Sequence, residues 1–315
     1  MIRKAAIISI CGISLTQQEI NIFKNDKPWG VILFKRNILS EKQVKKLTSS
    51  IRILMKDNRY PVLIDEEGGR VTRVSNFLDN SAFNQKYFGD IYKLDKKIGL
   101  ALYKTYIDTT SAHLRNLGIN IITSPVLDLY QKKADKIIGN RSYSNVPKIV
   151  NELGRTCVKF FKKNKIATVI KHIPGHGKAN VDSHFNLPIV RDVLSQLKKN
   201  DFKCFKNVSS HFAMTAHILY NKIDSENNAT HSQILIKKII RKEIGFKGIL
   251  ISDDISMKAL KYDLIKNANL AFQAGCNLIL YCAGKTSEVK NLLKETPYID
   301  SFTKKKTSEF YKFLS

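Results

Sequence analysis

Eight short apolar runs, alternating with amphipathic segments and ending in charged residues, predict an α/β fold closed as a single (β/α)8 TIM-type barrel. The runs cover 5–10, 30–34, 61–65, 119–128, 167–172, 211–217, 248–253 and 277–282 and are rich in β-branched residues. Continuous hydrophobicity over so few positions marks strands buried on both faces, as in a parallel sheet. Between them, 41–56 places Val44, Leu47, Ile51 and Leu54 on one helical stripe, and 98–117, 147–164 and 232–244 read similarly. Ser232 is placed to cap the last of these helices and Gly245 to stop it.

The competing architecture is an open, doubly wound sheet. That fold announces itself with a G-x-G-x-x-G turn after its first strand, and here the turn is Cys11-Gly12-Ile13-Ser14-Leu15. Neither a low-complexity tract nor an interdomain linker interrupts the pattern, so residues 1–315 are expected to form one catalytic barrel domain.

Bulk properties narrow the function. No apolar run approaches the roughly 20 residues that span a bilayer, so no membrane role is expected. Arg3 and Lys4 precede an apolar stretch at 5–13, but Ser9 and Gly12 interrupt it and no small-x-small site follows, which favours a first strand over a secretory signal. Cys11, Cys157, Cys204, Cys276 and Cys282 form no C-x-x-C pair and are odd in number, consistent with buried reduced thiols in a cytoplasmic protein. The formal charge of +26 comes mostly from lysines spread along helical stretches such as Lys42, Lys45 and Lys46, a solvated surface rather than a nucleic-acid groove.

The chemistry is expected where the strands end. Asp65-Glu66-Glu67 follow the third run, Asp128 closes the fourth, Lys171-His172 the fifth, His217 the sixth and Asp253-Asp254 the seventh. Charged groups at the ends of apolar strands would be costly inside a core, and a shared pocket at the barrel mouth accounts for them together.

Three segments carry most of the signal. KHIPGHGKANVDSHFNLP, residues 171–188, holds His172, His176, Asp182 and His184, and its glycines and proline make it a loop. Asp182 and His184, two apart, can face one side of an extended stretch, where a carboxylate would orient the imidazole as a general acid. A zinc site built from His172, His176, Asp182 and His184, with His217 as a further ligand, is the alternative, although neither H-E-x-x-H nor a Cys pair accompanies it. In GILISDDISMKAL, 248–260, an Asp at the barrel mouth can act as nucleophile, base or metal ligand, while Asp254 or Ser256 could cap the helix that follows. In IDEEGGRVTR, 64–73, Gly68 and Gly69 permit a tight turn beside Asp65, Arg70 and Arg73; Arg70 reads either as a structural ion-pair partner or as a fork binding sugar hydroxyls or carboxylates.

Together with GVILFKRN (30–37), SPVLDL (124–129) and IGNRSY (138–143), these segments resemble the family 3 glycoside hydrolases, in particular the bacterial single-domain β-N-acetylglucosaminidases (β-hexosaminidases) of peptidoglycan recycling. KHxPGHG followed by DSH is the specific part of the resemblance. It implies a retaining mechanism through a covalent glycosyl-enzyme. By the family pattern the nucleophile is Asp253, with Asp254 the alternative register, and the general acid/base is His184 assisted by Asp182. Sugar-binding positions fall on Asp65, Arg73, Arg141, Lys171 and His172, and His176 shapes the loop.

The implied substrate is a terminal β-linked N-acetylglucosamine on an anhydro-muramoyl peptide, cleaved by a cytoplasmic monomer with no cofactor, no metal, no nucleic acid and no membrane. Departures from the family pattern are Glu66 where Gln is usual, Asn140 where an acid is common and Tyr143 for Phe. The first strand ends in Ser9-Ile10-Cys11-Gly12, where a carboxylate is often found, and the extra C-terminal domain of larger relatives is not expected.

Overall fold

The computed structural model describes residues 2–131, 137–178 and 187–315. Eight parallel strands close into a barrel: β1 (Lys4–Ser9), β2 (Pro28–Leu33), β3 (Val62–Ile64), β4 (Ile121–Ile122), β5 (Ala167–Ile173), β6 (Phe212–Thr215), β7 (Ile249–Asp254) and β8 (Leu278–Tyr281). Each pairs with its sequence neighbours, and β1 closes the ring by pairing with both β2 and β8.

The helices α1 (Gln17–Asn25), α2 (Glu41–Met55), α3 (Gln85–Leu94), α4 (Lys96–Asn116), α5 (Pro147–Lys163), α6 (Leu194–Lys199), α7 (Leu264–Ala274) and α8 (Thr286–Glu295) occupy the crossovers and the segment after β8. Between β6 and β7 the crossover Leu235–Glu243 is wound as a π-helix. A last helix, α9 (Ser301–Leu314), follows.

Side-chain alternation divides the core in two. Ala5, Ile7, Trp29, Leu63, Ile121, Val169, Phe212, Met214, Ile251 and Leu280 belong to the barrel interior, and the opposite faces of the strands pack on the helices. The interior cluster runs on into α9. Phe310 packs 5.3 Å from Phe212 and 6.4 Å from Trp29 between ring centroids, and Trp29 Nε1 donates to Thr307 Oγ1 at 2.9 Å. The N-terminal end of the barrel is thereby closed, which leaves the opposite end for the site.

The stripe expected on 41–56 is α2, which buries Val44, Leu47 and Ile51 behind a Ser40 cap. Ser232 Oγ accepts from Leu235 N at 3.1 Å, and Gly245 follows the π-helical crossover at φ +79°. Three expectations need correction. The run 119–128 is one strand only at Ile121–Ile122: Pro125 has no N–H for the ladder to β3, and the chain turns to pair Val126 with Lys171 in β5. Neither Asp254 nor Ser256 caps a helix, because eight residues of turn separate the end of β7 from Asp263, whose side chain caps α7. Not all the cysteines are buried: Cys157, Cys204 and Cys276 lie in the core, Cys282 is half-buried and Cys11, in the turn after β1, is exposed. Among the described residues no helix is long and apolar enough to cross a membrane.

Candidate active site

At the end of β3 the chain runs through Asp65, Glu66 and Glu67 into a tight reversal. Gly68 and Gly69 take φ of +80° and +62°, and a Cβ on Gly68 would lie 2.3 Å from the Phe83 carbonyl oxygen. The reversal brings Arg73 back beside Asp65, where its guanidinium pairs with the Asp65 carboxylate and Nε donates to the Asp65 carbonyl at 3.0 Å. Glu66 is held beneath, accepting from Arg73 N at 2.6 Å and Asn80 Nδ2 at 3.3 Å. Burial pushes its carboxyl above the usual range, and those hydrogen bonds only partly offset the rise.

Lys171, in β5, reaches across to this corner. Its Nζ donates to Asp65 Oδ1 at 3.0 Å and to Thr123 Oγ1 at 3.1 Å, and it lies 2.5 Å from Glu67 Oε1. Arg141, after β4, forks onto the same Glu67 carboxylate with Nε and Nη2 each at 2.8 Å. Three cations and two carboxylates thus form one buried chain: Arg141, Glu67, Lys171, Asp65, Arg73. Burial alone would raise both acids, but Lys171 and Arg73 hold Asp65 far below the ordinary carboxylate range, and Arg141 and Lys171 hold Glu67 below it. The same pairing outweighs burial at Lys171 and keeps its ammonium charged.

Asp128, fully buried beyond β4, organises the next sector. It accepts from His172 N at 3.2 Å, from His172 Nδ1 at 2.7 Å and from His176 N at 2.6 Å. Burial is again overcome, here by His172 and His176, and the carboxyl is lowered. The loop carrying His176 lies tight on the chain after β4, where a Cβ on Gly177 would come within 2.0 Å of the Leu129 carbonyl oxygen. Burial and the neighbouring His172 bring His176 down to about 4.

At the end of β7, Asp253 and Asp254 differ in their ties. Asp254 accepts from Ser256 N and Oγ at 3.1 and 2.8 Å and from Cys282 N at 3.2 Å. Asp253 Oδ1 accepts from Asp254 N at 2.8 Å, and the residue lines the cavity. Burial raises the Asp253 carboxyl, but His217, His172, the Asp254 N–H and Lys171 together bring it below the usual range; Asp254 is raised by burial. His217 bridges Thr230 Oγ1 at 2.7 Å and the Asp254 carbonyl oxygen at 3.0 Å, so Nε2 is the donor and the imidazole is a brace beneath the acids.

Asp65, Arg73, Arg141, Lys171, His172 and Asp253 all line one cavity of about 240 Å³, with Phe34, Met214 and Met257 as apolar walls. Six of the eight residues expected to carry catalysis and sugar binding are therefore brought together, and Arg70, His176 and Asp254 line the same cavity. Asp182 and His184 lie outside the described residues, and with them half of the four-residue zinc alternative; among the described residues no three His, Cys, Asp or Glu side chains are grouped so as to hold a metal. Arg70 lines the cavity and its guanidinium donates to the Ile137 carbonyl. On the β1 side Arg36 spans Ser9 Oγ and the Cys282 carbonyl, each at 2.6 Å.

In the sequence Glu67 and Asp128 stand out only as polar strand ends, and Gln85 does not stand out at all. Gln85, at the start of α3, donates to the carbonyls of Val126 at 2.7 Å and Arg141 at 2.6 Å and so ties two site loops together. Two acids following Asp65 were the available signal for Glu67. Nothing local marks Gln85.

A family model described as the glycosyl hydrolase family 3 N terminal domain matches residues 4–300. A beta-hexosaminidase of Methylobacillus flagellatus is 32% identical over 283 residues, covering 88% of this chain and 79% of the relative. Among solved structures, NagZ from Neisseria gonorrhoeae in complex with N-trifluoroacetyl-D-glucosamine aligns with a TM-score of 0.88 at 28% identity, covering 100% of this chain and 91% of that one. The same protein in complex with zinc ion aligns at 0.87 and 28%, covering 100% and 90%.

Proposed function

Because this chain belongs to glycosyl hydrolase family 3, we propose that it is a β-N-acetylhexosaminidase removing terminal β-linked N-acetylglucosamine. The observation that carries the reading is that Asp253 lines the same cavity as Asp65, Arg73, Arg141, Lys171 and His172. Beta-hexosaminidase relatives and the glucosamine derivative bound by the Neisseria protein support the same substrate class.

In the mechanism we assign, the Asp253 carboxylate attacks the anomeric carbon as the glycosidic C–O bond breaks, and His184, oriented by Asp182, gives its proton to the leaving oxygen. His184 then takes a proton from water, whose oxygen attacks the same carbon and frees the Asp253 carboxylate. The anomeric configuration is retained by the two inversions. A carboxyl held below its ordinary range is ionised at neutral pH, as a nucleophile must be, whereas Asp254 is already engaged by Ser256 and Cys282. Asp65, Arg73, Arg141, Lys171 and His172 hold the sugar hydroxyls and the acetamido side. A peptidoglycan fragment is the physiological substrate we infer, handled in the cytoplasm by a monomer in which residues 1–315 act as one catalytic domain.

The test is release of p-nitrophenol from p-nitrophenyl N-acetyl-β-glucosaminide, with and without EDTA, by the wild type and by Asp253→Ala and His184→Ala. Release indifferent to EDTA, nearly abolished in Asp253→Ala and reduced about 10²- to 10⁴-fold in His184→Ala, supports these roles. No release by the wild type refutes the glycosidase reading, and loss of activity on chelation moves the zinc reading forward.

A further inference from the structure

We propose that Glu67 is the positioning residue of the sugar site, a single buried carboxylate that aims both Arg141 and Lys171 at the substrate without touching it. The inference rests on the assignment of Arg141 and Lys171 as sugar-binding groups.

Glu67 is 4% exposed and does not line the cavity, whereas both of its cationic partners do. Its Oε1 is shared between Arg141 Nη2 at 2.8 Å and Lys171 Nζ at 2.5 Å, and its Oε2 takes Arg141 Nε at 2.8 Å. A two-point fork fixes the plane of the guanidinium as well as its position. Lys171, a point charge on a flexible stem, is held instead by three oxygens, those of Glu67, Asp65 and Thr123. Without Glu67, Arg141 and Lys171 would face each other across a buried gap with no charge between them. Each would then relax toward water or toward Asp65, and the hydroxyl-binding geometry would be lost.

The charge has a second effect. The groups facing Lys171 are Asp65 and Glu67 from the β3 end, Arg141 from the loop after β4 and, across the barrel, Asp253 from β7. Asp65 and Glu67 keep the ammonium charged against burial and against Arg141. Removing one carboxylate while Arg141 remains lets Lys171 lose its proton at lower pH.

Glu67→Gln keeps the side-chain shape and removes the charge. We expect kcat/KM on the chromogenic glycoside to fall roughly 10- to 100-fold, with most of the change in KM and little in kcat. Glu67→Asp keeps the charge but is too short to serve both cations, so its KM rises while kcat stays near that of the wild type. If Glu67→Gln is not recovered folded, the KM of Glu67→Asp carries the test alone. A loss in folded Glu67→Gln that falls on kcat rather than KM, an unchanged KM in Glu67→Asp, or an activity loss that only follows the folded fraction overturns the proposal. A wild type that releases no product refutes the sugar-site assignment instead, so the two failures are told apart.

Discussion

Replacing Asp128 by Asn separates the orientation of His172 from the integrity of the barrel. Asp128 receives three donors, His172 N, His172 Nδ1 and His176 N. Because Asp128 accepts the Nδ1 proton, Nε2 is the ring nitrogen of His172 left for a ligand in the cavity. Asn can keep its oxygen on the two backbone N–H groups only by turning its NH2 toward Nδ1. The ring then changes tautomer, and Nε2 becomes a donor where a sugar hydroxyl expects an acceptor.

The folded state loses the charge assistance of the bonds to Asp128, about 1 kcal/mol each, and is relieved of one buried carboxylate. A net cost of about 1–2 kcal/mol follows, a shift of a few degrees in Tm. The substrate loses a buried hydrogen bond and meets a mismatched donor, a loss of about 1–3 kcal/mol, or roughly 5- to 150-fold in kcat/KM. The assay pairs kcat/KM on the chromogenic glycoside with thermal unfolding and with the ¹⁵N shifts of the His172 ring. A reversed tautomer with kcat/KM within about twofold of wild type would refute the reasoning.

Burial and the neighbouring His172 bring His176 down to about 4, and burial and His217 do the same for His231. Both lie below the unfolded value near 6.5, so the unfolded chain binds protons first and stability falls as pH drops from about 6.5 toward 4, by up to about 3 kcal/mol for each ring. Asp201 opposes this. Burial raises it to about 6, above its unfolded value, so it favours the folded state as pH falls through that window; Asp201→Asn should steepen the acid loss seen in urea titrations, and a flat pH dependence in the wild type contradicts these signs. At the far end of the barrel, Phe310→Ala should cost about 3–5 kcal/mol by denaturant unfolding while kcat/KM per folded molecule is unchanged; a specific fall in kcat would mean the floor and the site are coupled.

The barrel was readable because parallel strands buried on both faces leave unbroken apolar runs, and the acids ending those runs gave the mouth its position. Individual bounds were less readable. The run through 119–128 looks continuous until Pro125 is considered as a missing donor, and the Asp254 carboxylate prefers Ser256 and Cys282 to any helix end. The roles of Glu67 and Asp128 depend on what crosses the barrel to meet them: Glu67 meets Lys171 from β5 and Arg141 from the loop after β4. Pairings more than 70 residues apart leave no periodic trace in a single sequence. Gln85 is the extreme case, an ordinary first-turn residue whose two carbonyl partners can be named only in three dimensions.

The filling of the barrel also governs how a polymer can approach. Between the cavity and α9 stand Ile7, Leu63, Ile121, Val169 and Ile251, and beneath them Trp29, Phe212 and Phe310. Among the described residues the cavity is therefore closed from below. A glycan cannot be threaded through that floor, so under the proposed reaction the sugar to be cleaved enters and leaves by the mouth.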